Sequence, residues 1–154
     1  MVIKSFEHGQ WRTKTQDWSI EKTIELYVGK NQVQNFLEDP ILQKLNTSKI
    51  SYLSGGELRY LEIKLLLHTD CKFILLDEPF NGLDPESCIV IKNLLKDYCY
   101  CKHNMILFSV HNLDLVSNFS DTIILINKDR QLLSLKNTQN ISELEDYFFK
   151  HCVI

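Results

Sequence analysis

The chain has 154 residues, which is enough for one globular domain built around one hydrophobic core. Its 44% hydrophobic and 24% charged residues are ordinary for a globular protein, and no apolar run approaches the length of a bilayer span. A net charge of −3 gives no basic footprint for nucleic acid. Lys4, Glu7 and Arg12 interrupt the N-terminus, so the sequence predicts no signal peptide.

Residues 1–50 carry only short patterns of secondary structure. Residues 1–15 are polar and ambiguous, and they allow a frayed strand. Residues 17–50 carry short helical patterns that are interrupted at Gly29 and Pro40. Apolar residues ahead of Gly29 fall on one helical face, so we predict a helix with Gly29 as its C-cap.

A longer helix is predicted over residues 55–68, with Leu58, Leu61 and Leu65 on one apolar stripe. After it we predict strand 72–77, helix 86–100, strand 105–110 and helix 112–119. Strand 122–126 and a turn at 128–130 then lead into a second hairpin strand at 131–135. A last helix is predicted to start at Ser142, with Glu145 as capping partner.

The start of the long helix has a motif with two interpretations. Ser54 and Glu57 have the spacing of a capping box, which many helices use. Gly55 and Gly56 also remove side chains at a helix N-terminus, so that an anion such as a γ-phosphate could approach the backbone N–H groups. A negative charge at Glu57 would lie near that phosphate, so we favour capping for this residue.

Two acidic residues stand where the predicted strand 72–77 ends. Asp77 and Glu78 lie at its carboxyl end, where ligands bind in open α/β sheets, although a charged strand end could also simply lead into a turn. Asp84 is a predicted N-cap, with Pro85 in the first turn of the next helix.

A histidine and a cysteine cluster complete the candidates. His111 follows the apolar run of the next strand, where a histidine can equally be an ordinary strand-end residue. Cys99, Cys101 and His103 form a metal-like group, but they close a predicted helix and no second cysteine pair accompanies them. We therefore favour helix-end packing there, and the five cysteines show no disulfide framework.

In their order and spacing these motifs resemble the C-terminal part of an ATP-binding cassette (ABC) ATPase of the transporter type. They are Leu53-Ser-Gly-Gly-Glu57, the strand that ends in Asp77-Glu78-Pro79, Asn81-Gly-Leu-Asp-Pro85, and His111 after a second strand. The resemblance covers residues 51–135 well and residues 16–50 loosely.

The resemblance implies roles for individual residues in binding ATP and Mg²⁺. Asp77 would hold Mg²⁺, generally through water, Glu78 would polarise the attacking water, and His111 would contact the γ-phosphate. The nucleotide-binding residues would be Ser54, Gly55, Gly56, Glu57, Asp84 and Gln16. Gln16 stands where the family has its Gln loop, but Gln10 is a rival, and Glu57 departs from the Gln that transporters more often carry.

The resemblance also implies an α/β fold, namely a partial P-loop NTPase (ABC ATPase) fold with parallel strands. The 154 residues would form a single partial domain, with a helical subdomain at about 16–70, a catalytic core at about 71–135 and a C-terminal helix at about 136–154. The partners would be another ABC ATPase protomer in a head-to-tail dimer and a transmembrane permease, with no nucleic acid. The location would be cytoplasmic, at the inner face of the membrane.

A phosphate-binding loop of the form G-x-x-x-x-G-K-[ST] is absent from the sequence. The one Gly-Lys pair, Gly29-Lys30, has Ile24 in place of the first glycine and Asn31 in place of Ser or Thr. We therefore expect the 154 residues alone to be inactive as an ATPase.

Three alternatives remain open at this stage. ABC ATPases of DNA repair and chromosome maintenance share the Ser-Gly-Gly-Glu motif, but they carry coiled-coil arms or zinc modules, for which this chain has no heptads and no CxxC pair. The chain could be a non-enzymatic remnant of a cassette. Finally, the phosphate loop could be encoded upstream of Met1 or on another polypeptide.

Overall fold

The structure is a computed structural model, and it describes residues 3–6, 17–69, 71–102, 104–117, 119–137 and 140–153. The chain divides into two compact units, Met1–Ser109 and Val110–Ile154. Within the described ranges, no helix combines the length and the apolar character needed to cross a membrane.

The first unit contains a parallel sheet and five α-helices among its described residues. In chain order they are β1 (Ile3–Phe6), α1 (Ile20–Val28), α2 (Val33–Leu37), α3 (Pro40–Leu45), α4 (Gly55–Leu67), β2 (Phe73–Leu76), α5 (Pro85–Lys102) and β3 (Met105–Phe108). The three strands lie in the order β1-β2-β3, and both pairs are parallel. This arrangement confirms the predicted α/β class with parallel strands.

Helices α1 to α4 bury one continuous apolar cluster. Its centre is formed by fully buried residues of α1, α3 and α4, namely Ile20, Ile24, Leu42 and Leu61. Gly29 ends α1 as predicted: it has φ +85°, and its N–H donates to the carbonyl of Glu25. The Gly29-Lys30 pair is therefore a helix end.

Helix α4 is buried on almost all sides, which the predicted leucine stripe did not anticipate. Arg59 and Glu62 are also buried, and their side chains lie 3.9 Å apart. Burial lowers the pKa of Arg59, and the nearby Glu62 opposes that shift. Charged residues are normally assigned to the protein surface, so the hydrophobic periodicity of α4 cannot reveal that Arg59 and Glu62 are buried.

Asp39 ties α3 to α4. Its Oδ1 accepts hydrogen bonds from the N–H groups of Ile41 and Leu42, at 3.0 and 3.1 Å, and so caps α3. Its Oδ2 accepts from the hydroxyl of Tyr60 at 2.7 Å and pairs with Lys64. Burial by itself would raise the pKa of Asp39, but the hydrogen bonds from Lys64, Tyr60 and Leu42 outweigh it and lower this pKa.

This lowered pKa predicts how stability depends on pH. A carboxyl group whose pKa is lower in the folded chain stabilises the fold above its ordinary value of 3.8, and it loses that contribution as the pH falls through the folded value. We expect Asp39→Asn to reduce the free energy of unfolding by about 1–2 kcal/mol at pH 7, a figure that allows for partial solvent screening. Urea denaturation at pH 7 and near pH 2 measures the difference, which should shrink in acid.

The exposed neighbour Glu38 supplies the control, since Glu38→Gln removes a nearby charge outside the network. An equal loss for Asp39→Asn at both pH values would contradict the ionic explanation.

The described residues of the second unit contain a hairpin and two α-helices, and a π-helical turn (Phe149–Val153) follows the second of these helices. The α-helices and strands are α6 (Asp114–Ser117), β4 (Thr122–Ile126), β5 (Leu132–Lys136) and α7 (Ile141–Phe148). The strands are antiparallel, and residues of β4 alternate between buried (Ile123, Leu125) and exposed. The turn lies at the predicted position, and Arg130 closes it with φ +60°.

Both helices of this unit start elsewhere than predicted. Helix α6 starts at Asp114, because Asn112 Oδ1 accepts the Asp114 N–H at 2.8 Å and forms a turn at the predicted helix start. Helix α7 starts at Ile141, where Asn140 is the N-cap. The prediction of Ser142 as the helix start, with Glu145 as capping partner, is therefore wrong. Asn140 Nδ2 instead donates to Oε1 of Glu143 at 3.0 Å.

Candidate functional site

The predicted catalytic acids follow strand β2 directly. Asp77 is the first residue after the strand and is exposed, and Glu78 is half-buried. Glu78 has φ +43°, in the left-handed region that non-glycine residues rarely adopt. Such strain concentrates at functional sites and persists only where the surroundings enforce it.

Ser109 is the group that contacts both acids. The Ser109 hydroxyl donates to Asp77 Oδ1 at 2.5 Å and accepts the Glu78 N–H at 2.9 Å. Its own N–H donates to the carbonyl of Leu76 at 3.0 Å, which continues the pairing of β3 with β2. The sequence prediction placed Ser109 inside strand 105–110, whereas β3 ends at Phe108.

Two buried residues and one side-chain hydrogen bond stabilise the turn after Glu78. Pro79 and Phe80 are buried, and the Phe80 ring packs edge-to-face against Phe108 with ring centres 5.7 Å apart. Asn81 Nδ2 donates to Glu78 Oε2 at 2.9 Å. The Glu78 carboxylate is therefore hydrogen-bonded to Asn81, in a turn whose two residues Pro79 and Phe80 are buried.

The N-terminus of α4 forms the predicted capping box. The Glu57 N–H donates to Ser54 Oγ at 3.2 Å, and the Ser54 N–H donates to Glu57 Oε2 at 2.8 Å. This confirms the capping role of Glu57. Ser54 and Gly55 are exposed, and a Cβ at Gly55 would meet no atom within 4 Å.

Gly56 has a different reason to be glycine. A Cβ at this position would lie 2.9 Å from Ser87 Cβ and 3.7 Å from Asp84 Oδ2, so the starts of α4 and α5 approach closely. The close packing of α4 and α5 thus explains why residue 56 is glycine, whereas the sequence interpretation was that Gly55 and Gly56 both give a phosphate access to the backbone.

Asp84 is the predicted N-cap of α5. Its Oδ1 accepts the Ser87 N–H at 2.9 Å and its Oδ2 accepts the Ser87 hydroxyl at 2.6 Å. These two hydrogen bonds lower the pKa of Asp84. A contact of Asp84 with nucleotide stays a prediction.

The remaining candidates are His111, Gln16 and the cysteine group. His111 is exposed in the second unit, and Gln16 lies outside the described residues. Cys99 and Cys101 lie in the last turns of α5, and His103 also lies outside the described residues. Within the described ranges, no three His, Cys, Asp or Glu side chains form a group that could hold a metal ion by themselves.

A cleft of about 360 Å³ opens on the first unit, lined by Asp39, Lys64, His68 and Asp97 among others. None of its lining residues is a predicted site residue. Asp77, Ser54 and Gly55 are instead exposed, and Glu78 and Gly56 are half-buried.

Comparison with known proteins gives several relatives, although no protein-family model matches the chain. The chain is 31% identical over 107 residues to the phosphonates import ATP-binding protein PhnC of Fusobacterium nucleatum, covering 70% of this chain and 43% of that protein. It is 29% identical over 133 residues to the energy-coupling factor transporter ATP-binding protein EcfA2 of Staphylococcus epidermidis, covering 80% and 46%. The chain therefore spans about half the length of these relatives.

Solved structures show the same fold. A nucleotide-free ATP-binding cassette from an ABC transporter superposes with a TM-score of 0.72 at 21% identity, over 94% of this chain and 64% of that one. The cbiO1 protein of Clostridium perfringens, part of the ABC transporter complex cbiONQ, gives 0.70 at 20% identity, over 90% and 58%. The relatives and structural neighbours of this chain are thus ABC transporter ATP-binding domains, and the chain corresponds to a portion of that cassette.

Proposed function

We propose that the chain is part of an ATP-binding and ATP-hydrolysing subunit of an ABC transporter, with ATP and Mg²⁺ as its ligands. The observation that carries the proposal is the pair of acids after β2, in a turn where Glu78 has a positive φ and hydrogen bonds join the acids to Ser109 and Asn81. Its relatives are named for import or energy coupling, which favours transport over the DNA-repair alternative.

Asp77 suits the proposed metal role. Mg²⁺ prefers carboxylate and water oxygens, and Asp77 is exposed, with Oδ1 oriented by Ser109. Mg²⁺, when bound, would supply charge that stabilises the phosphate oxygens. Asp77 would contribute the negative charge and orientation that hold the ion, generally through water.

Glu78 suits the role of general base. A base must hold its carboxylate within hydrogen-bond reach of the attacking water, so its orientation has to be fixed before the reaction. Asn81 and the positive φ of Glu78 provide that fixed orientation. His111 is proposed to contact the γ-phosphate, on the strength of the motif order alone.

The start of α4 suits a phosphate that arrives from another protomer. Ser54 and Gly55 are exposed at the positive end of a 13-residue helix, where anions bind favourably. We propose that a phosphate loop outside these 154 residues completes each ATP site in a head-to-tail dimer. A transmembrane permease would be the further partner, and the subunit would act at the inner face of the membrane.

The 154-residue chain alone should bind ATP weakly and show no measurable turnover. A phosphate loop supplies most of the phosphate contacts, and none is present in the sequence. Titration with ATP and Mg²⁺ should give a dissociation constant of about 1 mM or weaker. A steady-state ATPase assay of the same preparation measures turnover.

Glu78→Gln serves as the control for that assay, because a contaminating ATPase would be unaffected by it. Low-micromolar binding together with Glu78-dependent turnover would contradict the prediction. The DNA upstream of Met1 gives a second test, since an in-frame G-x-x-x-x-G-K-[ST] would restore a whole cassette. Failure of every complemented form to hydrolyse ATP would favour a non-enzymatic remnant.

A further inference from the structure

Ser109 makes two hydrogen bonds that together require a hydroxyl side chain. It donates to Asp77 and accepts from the backbone N–H of Glu78, so it uses both the donor and the acceptor of a hydroxyl. Alanine offers neither group. Threonine offers both and adds one methyl group.

The contact to Glu78 is the more informative of the two. Glu78 holds φ +43°, a conformation that a glutamate leaves unless other bonds enforce it. Ser109 Oγ is the acceptor of the Glu78 N–H, and it belongs to a different strand end, 31 positions along the chain. The strained turn is therefore tied across the sheet.

The parallel register explains why Ser109 reaches this position. Leu76 pairs with Phe108, so the residues after them, Asp77 and Ser109, lie side by side at the same edge of the sheet. The Ser109 N–H continues the ladder to the Leu76 carbonyl, which fixes the serine backbone. The ladder therefore places the Ser109 backbone beside the acids, and the two hydrogen bonds of the hydroxyl favour the rotamer that points at them.

We propose that Ser109 is a positioning residue for ATP hydrolysis: its hydroxyl holds the Asp77 carboxylate and the left-handed backbone of Glu78 in the orientation that the reaction needs. This inference rests on the proposed function of the two acids. Ser109 would act through Asp77 and Glu78, the two acids that its hydroxyl contacts. Displacement of reacting groups by about 1 Å can reduce a rate by about 100-fold, so the loss of one such tie is measurable.

The test uses the complemented protein, meaning this chain joined to or co-expressed with a segment that carries G-x-x-x-x-G-K-[ST]. Ser109→Ala should lower kcat by about tenfold or more and leave KM for ATP within about twofold, because the phosphate loop supplies most of the contacts to ATP. Ser109→Thr should recover most of the lost kcat. Ser134→Ala, at an exposed position of β5, is the control and should match the parent.

A second readout needs no turnover. In the 154-residue chain, the Glu78 amide is hydrogen-bonded to Ser109, so its hydrogen exchange should be slowed. Ser109→Ala should accelerate exchange at Glu78 by about tenfold, and Ser109→Thr should not.

The outcomes separate the two proposals. A parent that hydrolyses ATP while Ser109→Ala is equally fast, or an unchanged exchange rate at Glu78, overturns the positioning role. A fall in kcat that threonine fails to recover also overturns it. A complemented parent with no hydrolysis contradicts the proposed function itself and the catalytic part of this inference, while the exchange measurement still decides whether Ser109 holds Glu78.

Discussion

Glu78→Gln in the complemented protein should abolish ATP hydrolysis while ATP binding stays near the parental level. Glutamine keeps the shape of the side chain and can still accept from Asn81, but it cannot take a proton. General bases contribute about 100-fold to 10,000-fold to a rate, and we expect a loss in that range. Single-turnover hydrolysis and equilibrium ATP binding, measured on one preparation, test both parts.

Glu145→Gln is the matched control, since it makes the same chemical change at an exposed position of α7. It should leave both quantities unchanged. Hydrolysis by Glu78→Gln at the parental rate would show that another group serves as the base. Asp77 would then be the first residue to substitute.

Gly55→Asp should prevent ATP-driven dimerisation without unfolding the protomer. A carboxylate at this position would meet the phosphate that we propose arrives from the partner. The effect should reach about tenfold or more in the association constant, which corresponds to about 1.4 kcal/mol. Sedimentation with ATP, in the hydrolysis-blocked Glu78→Gln background, measures the association.

The open space around Gly55 means that Gly55→Asp should not disturb the packing of the protomer. A Cβ there meets nothing within 4 Å, and an acidic residue in the first turn of a helix is favoured by the helix dipole. The protomer should therefore be as stable as the parent. If Gly55→Asp dimerises normally, the start of α4 is only a capped structural element.

Gly56→Ala supplies the contrasting control. Its Cβ would press on Ser87, so it should reduce the free energy of unfolding by about 1–3 kcal/mol. Thermal denaturation of both variants separates the two glycines: Gly56 should affect folding, and Gly55 should affect association. Equal stability of Gly56→Ala and the parent would contradict the close approach of α4 and α5.

Local patterns predicted those parts of the fold that depend on neighbours in sequence. The capping box of Ser54 and Glu57, the Asp84 cap, the Gly29 helix end and the hairpin around residues 128–130 all involve residues within a few positions of one another. Backbone sterics and local hydrogen bonds decide such features, so the sequence alone is sufficient for them.

Long-range features were not predictable in the same way. Ser109 meets Asp77 and Glu78 only because β2 and β3 pair in one particular register, and no spacing rule in the sequence specifies that register. A usable signal did exist, since Asp77 and Ser109 each follow an apolar strand directly. The close contact of Gly56 with Ser87 depends likewise on how two helices pack.

The division into domains stays a prediction. The predicted catalytic core at about 71–135 contains β4 and β5 together with β2, whereas the structure groups Val110–Ile154 as a separate compact unit. The helices and strands within each unit follow the predicted element types. Helices α6 and α7 start at Asp114 and Ile141 because the side chains of Asn112 and Asn140 accept backbone N–H groups there.

The outer edge of the parallel sheet has a consequence for handling the protein. Within the described residues β3 pairs only with β2, and it carries Met105 and Leu107 at 63% and 45% exposure. An apolar edge strand is a template for pairing with other chains, so a purified preparation should self-associate as its concentration rises. ATP-free sedimentation at several dilutions must therefore be the baseline for any dimerisation measurement.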